Sequence, residues 1–221
     1  MLLAALAGSL RQWTGSASVV VDMEGHGREE IVPGFDCSRT VGWFTSIFPV
    51  ALDLHPNATP EEILRATKER LRGIPHRGLG YGVLRYLADD ATRRRMETLP
   101  RGQVLLNYLG QSDRAWSNPW LSTARESVGP LRSSANHRPY PLEVSGAVQD
   151  GRLVMEWRYS EDAYRRGAIE DLDRQVRKIL RGFASHDGRP GPGALSPSDF
   201  SAGDMSQTDF DELLTRLNPP A

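Results

Sequence analysis

Hydrophobic and polar positions repeat along this chain with two different periods. Leu2, Leu3, Leu6, Leu10 and Trp13 recur at helical spacing and predict an N-terminal helix with one apolar face. Met1 already lies inside that pattern, so no capping residue precedes it. Ser18 to Met23 is β-branched and apolar on both faces, the mark of an interior strand covered on both sides. TSIFPVALDL (45–54) reads as a second strand, and Pro49, which has no N–H to donate, puts it at an edge or a bulge. Thr59-Pro60-Glu61-Glu62 starts a helix with an N-cap, a proline at the first helical position and a capping glutamate. That helix should run to about Arg72 with Ile63, Leu64 and Leu71 inward.

GIPHRGLGYGVLRYL (73–87) predicts a glycine-broken loop leading into an apolar helical turn, and Asp90 to Leu99 a short charged helix. GQVLLNYLGQ (102–111) reads as a buried strand ending at Asn107-Tyr108, and residues 111–138, without a clear period, as a long loop. LEVSGAV, Gln149-Asp150-Gly151 and RLVMEWRYS form a β-hairpin signal. On its second strand Leu153, Met155, Trp157 and Tyr159 predict one buried face. Ile169, Leu172, Val176, Ile179, Leu180 and Phe183 make a helical stripe between Ala168 and Ser185. The sum is an α/β fold with about five strands and packed helices over residues 1–186. A Pro/Gly/Ser-rich linker and a short acidic helix fill 187–221.

Composition narrows the function classes. Charged residues make up 25% and hydrophobic residues 39% of 221, an ordinary globular balance. A net charge of −1 supplies no global field toward nucleic acid or anionic lipid. The short apolar N-terminus has no basic residue before it and is too short to span a bilayer. The single Cys37 cannot form an intrachain disulfide, which fits a cytoplasmic protein.

Chemistry concentrates at DMEGHGREE (22–30), where four carboxylates, one histidine and two glycines follow the apolar strand. A metal site needs converging ligands, and His26 has no HxH, HxxxH or CxxC companion. Gly25-His26-Gly27 and Gly78, Gly80 and Gly82 do not complete a dinucleotide or P-loop pattern. An acid/base reading has firmer ground. Asp22 and Glu24 lie at the carboxyl end of a buried strand, where open α/β sheets bind ligands, and Gly25 and Gly27 would admit a substrate to the backbone. A solvated turn with surface ion pairs is the competing reading. Trp43, Phe44 and Phe48 read as core, with a channel lining as the alternative.

Four stretches, EGHGRE (24–29), VGWFTSIFPV (41–50), GLGYGVLRYL (78–87) and NYLGQSD (107–113), closely resemble in order and spacing the motifs of nonribosomal peptide synthetase epimerization domains. RYSEDAY (158–164) and LSPSDFSAGDMSQTDFDELL (195–214) resemble the end of such a domain and its exit linker. The resemblance implies one half of a two-lobed, chloramphenicol-acetyltransferase-like fold. No HHxxxDG occurs, so the chain corresponds to the C-terminal lobe alone. It also implies the reaction: inversion of the α-carbon of an aminoacyl or peptidyl thioester held on the phosphopantetheine arm of a carrier protein, with no cofactor or metal of its own.

By the same resemblance Glu24 is one of two acid/base groups, and the second is a histidine of the N-terminal lobe. Asn107 and Tyr108 fall to enolate stabilisation or substrate positioning, with a proton role open to Tyr108. Gly25, His26, Gly27 and Arg28 shape the substrate loop, and Trp43 lies along it. The partners implied are a peptidyl carrier protein, the N-terminal lobe and a downstream synthetase subunit, with no nucleic acid and no membrane. A condensation domain forming amide bonds and a catalytically silent docking platform are the rival readings.

Overall fold

The computed structural model describes residues 1–29, 31, 33–111, 126, 127, 129, 133, 136–184, 196, 199 and 205–217. Most of the loop expected at 111–138 and most of the linker expected from 187 lie outside these residues. The elements run α1 (Leu2–Thr14), β1 (Ser18–Gly25), β2 (Ser46–Asp53), α2 (Pro60–Arg72), a 3₁₀ turn (Pro75–Gly78), α3 (Leu79–Gly82), a π-helical turn (Val83–Leu87) and α4 (Asp90–Glu97). They continue with β3 (Val104–Gln111), β4 (Leu142–Gln149), β5 (Arg152–Tyr159), α5 (Arg166–Ala184) and α6 (Gln207–Leu217). The strands form a five-stranded sheet in the order β2-β1-β3-β4-β5. β1, β3 and β4 run parallel and β5 closes antiparallel against β4. The α/β class and mixed five-stranded sheet match the expectation, and β2 with Pro49 is at the edge. Among the described residues no helix is long and apolar enough to cross a membrane.

The chain divides into two compact units. One comprises Met1–Val19, Val50–Arg77 and Glu170–Ala221. Here α1 is buried on all sides from Leu3 to Leu10, not on one face as its apolar spacing predicts. Alanine, glycine and serine fill its second face: a Cβ at Gly8 would come within 3.2 Å of Ile63 and 3.5 Å of Ile179, so small residues let the helices approach. Ser9, fully buried, donates to the Ala5 carbonyl at 2.8 Å. The α2 capping box forms as predicted: the Glu62 N–H donates to Thr59 Oγ1 and the Thr59 N–H to the Glu62 carboxylate.

The other unit comprises Val20–Pro49 and Gly78–Ile169. Its core is the apolar face of β3 and β4, with Leu106, Leu142 and Val144 almost fully buried. The hairpin joins Gln149 to Arg152 through Asp150 and Gly151, whose φ values of 49° and 69° are the left-handed pair that a two-residue turn needs. Three local expectations are corrected. β3 does not stop at Tyr108 but continues to Gln111 past a register shift, with Gly110 at φ 75°. Of the face of β5 expected to be buried, Met155, Trp157 and Tyr159 are half-buried and Leu153 is exposed, because β5 is the edge strand. Val83, Leu84, Tyr86 and Leu87 form the expected helical turn but are exposed.

Candidate functional site

Strand geometry decides which side chains share a surface. β1 and β3 pair with Asp22 opposite Leu105 and Met23 opposite Leu106, so the next step brings Glu24 to Asn107. Side chains alternate across a strand, which puts Asp22 and Glu24 on one face of β1. Asn107 Nδ2 donates to Glu24 Oε2 at 2.7 Å. This bond links residues 83 apart in sequence. Beyond it the register continues across the sheet, from Asn107 to Ser145 on β4 and from Ser145 to Glu156 on β5. Four polar residues from four strands therefore line one row of a single sheet face, at the end where β1 finishes. Ser145 was missed by sequence reasoning, although the alternation of Glu143 and Ser145 with Leu142 and Val144 was its signal.

One row back, Asp22 is only 8% exposed, and the Tyr140 hydroxyl donates to its Oδ2 at 2.7 Å. Burial, the bond to Asp22 and the charge of that carboxylate all push the Tyr140 hydroxyl well above its ordinary range, so it stays a donor. Gly102 packs against the same carboxylate so closely that any Cβ there would collide with it. Asp22 is thus fixed, and it fixes the strand two residues before Glu24.

The loop after Glu24 is held by its own side chains. The Arg28 N–H donates to His26 Nδ1 at 3.0 Å, and His26 Nε2 meets Glu29 Oε1 at 3.1 Å. His26 is therefore used on both nitrogens within the loop. The Arg28 guanidinium lies 4.0 Å from the centre of the Phe44 ring and donates to the Cys37 carbonyl. Gly27, at φ 66°, faces the Phe44 carbonyl where a Cβ would clash. Its missing side chain is thus taken up by the backbone of 44 and not left open to a substrate, as the sequence reading expected. Gly25 ends β1. Tyr108, next to Asn107 on the strand, belongs to the opposite side of the pleat and is exposed. Trp43 is not core: it is 90% exposed, while Phe48 is buried and Phe44 is half-buried.

The family model of the condensation domain matches residues 1–202 of this chain. The chain belongs to the condensation-domain family. Within that family it is similar to a linear gramicidin synthase protein of Brevibacillus parabrevis, with 42% identity over 96% of this chain and 4% of the relative. A chondramide synthase of Chondromyces crocatus is 39% identical over 98% of this chain and 5% of that protein. The chain thus spans a small part of the curated relatives it matches. The solved epimerization domain from the third module of tyrocidine synthetase B superposes with a TM-score of 0.73 at 35% identity. The match covers 84% of this chain and 41% of that one. The X-domain in complex with OxyB from teicoplanin biosynthesis, at 20% identity and a TM-score of 0.55, shares the fold. The condensation-family lobe here carries the EGHGRE and NYLGQ stretches on β1 and β3, the two strands that Glu24 and Asn107 join.

Proposed function

We propose that this chain is the C-terminal lobe of a peptide synthetase epimerization domain, and that Glu24 exchanges the α-proton of a carrier-bound aminoacyl or peptidyl thioester. The observation that carries the reading is the Glu24–Asn107 bond at the carboxyl end of parallel strands. The similarity to the tyrocidine epimerization domain supports it.

The chemistry is a balanced pair of proton transfers. A base removes the α-proton, the electron pair moves into the thioester carbonyl as an enolate, and an acid returns a proton to the opposite face. Glu24 serves one face. A histidine of a complementary N-terminal lobe serves the other. Asn107 orients the Glu24 carboxylate through its single amide N–H bond and leaves a second amide N–H for the substrate or enolate oxygen. Trp43 and the loop formed by Gly25, His26, Gly27 and Arg28 lie along the substrate's path, whereas Tyr108, on the opposite side of the pleat, does not share the face of Glu24. Substrate arrives on the phosphopantetheine arm of a carrier protein, and no further cofactor takes part. The protein works in the cytoplasm, with a downstream synthetase subunit as a further partner.

A second reading, amide-bond formation, is favoured by the description of the family model itself. One assay separates them. The chain joined to an N-terminal lobe is given a carrier loaded with an L-aminoacyl thioester, with and without an acceptor carrier. Released residues are then analysed for chirality and for peptide. D-residue without peptide supports epimerization, whereas peptide without inversion decides for condensation.

A further inference from the structure

Outside the Glu24 row, the unit of residues 20–49 and 78–169 holds a cavity of about 480 Å³ between β2, the α3–π segment and Tyr140. Arg85 in its wall is 8% exposed. Its Nη1 donates to Tyr81 Oη at 3.1 Å and to the Met96 carbonyl at 3.3 Å. The Tyr81 and Tyr86 ring centres each lie 5.9 Å from its Cζ. Among the described residues no carboxylate pairs with it. A guanidinium carries five N–H donors in a planar fork and keeps its charge, and burying that charge without a counter-ion is costly. The Tyr86 side chain is a further hydrogen-bond partner of the guanidinium, so three neutral groups share its five N–H donors and the remaining donors are left for an acceptor.

Asp22, in the same wall, does not serve, because its Oδ2 is taken by Tyr140 and its Oδ1 is packed against Gly102. Arg101, which is exposed, adds a second positive charge to the lining. Ile47, Leu79 and Val83 supply an apolar wall.

We propose that this cavity is an oxyanion site: Arg85 binds the phosphate or carboxylate group of a small organic anion, Arg101 assists, and the apolar wall holds the organic body. The bidentate fit of a guanidinium to either group is the recognition chemistry. The inference stands on the cavity and is independent of the reaction proposed for Glu24.

The test is a titration of the chain, labelled with ¹⁵N-arginine, with inorganic phosphate and with acetate at constant ionic strength, following the arginine Nε–Hε signals. One signal should shift saturably and vanish in Arg85→Lys. The Arg101→Gln chain should bind about tenfold more weakly. Tighter binding of phosphate identifies phosphate esters as the ligand source, and tighter binding of acetate identifies carboxylates. The proposal is overturned if neither anion gives a saturable shift, or if chloride gives the same one. It is also overturned if Arg101→Gln binds as tightly as the parent, an outcome readable even if Arg85→Lys fails to fold.

Discussion

On the proposed reading Glu24 and Asn107 form the smallest unit on which function depends, and each makes a different prediction. Gln at position 24 keeps the shape and removes the base, so the completed domain should lose inversion by about 10²- to 10⁴-fold, the range of general acid/base catalysis. Asn107→Ala removes a hydrogen bond to a charged group, worth about 1.5–3 kcal/mol. At 1.4 kcal/mol per tenfold, kcat should fall about ten- to a hundredfold with KM little changed, as steady-state kinetics on the carrier-bound thioester would show. An unchanged kcat would remove Asn107 from the site. Glu24 was legible from sequence because a run of carboxylates after a buried strand needs a reason. Its partner was legible only through the family motif, since nothing local tells a residue which strand will lie beside it. Asp22, Tyr140 and Gly102 were hidden for the same reason: the Tyr140–Asp22 contact spans 118 residues.

At the scale of elements, local rules held where local chemistry suffices and failed where neighbours decide. The Thr59 cap, the Asp150-Gly151 turn and the strand read over residues 18–23, which runs on to Gly25, all form, because hydroxyl, glycine and β-branched preferences act within a few residues. Periodicity sees only large apolar side chains, so it missed the small-residue face of α1, and the clustering of aromatic residues suggested a core position for Trp43, which tertiary packing leaves exposed. Gly78 is a case where a long-range contact sets the residue: at φ 84° its absent Cβ would run into the Phe48 ring. Gly78→Ala combines left-handed backbone strain with overpacking and should cost about 2–4 kcal/mol in chemical denaturation. Thr59→Ala should cost about 1 kcal/mol in the same measurement.

Asp199 ties the segment after α5 to α2. Burial works to raise its carboxyl pKa, but bonds from Lys68, Arg72 and the Ser196 N–H outweigh burial and hold it well below the usual carboxylate range. The stabilisation is complete above the ordinary carboxylate value of about 3.9 and is lost as pH falls toward the lower folded value. Urea midpoints should therefore drop from pH 5 to pH 2, and Asp199→Asn should flatten that limb. A parallel drop in the variant would assign the acid sensitivity elsewhere.

For the whole molecule, the sheet matters as a device that turns sequence-distant polar residues into one row. Glu24, Asn107, Ser145 and Glu156 come from four strands and meet only because β1, β3 and β4 run parallel and β5 returns beside them. The same unit exposes Val41, Trp43, Leu84, Tyr86 and Leu87, large apolar side chains that a complementary lobe would cover on the proposed reading. The isolated chain should then self-associate with rising concentration in sedimentation velocity and lose that tendency when an N-terminal lobe is supplied. A chain that stays monomeric across the range would leave this apolar surface without that role.

The most direct test of the central claim is chiral analysis of a carrier-bound L-aminoacyl thioester after incubation with the lobe-complete domain, parent against Glu24→Gln. The account predicts D-residue accumulating with the parent and none above background with the variant, at equal folding by circular dichroism. Inversion by Glu24→Gln at the parental rate would contradict it.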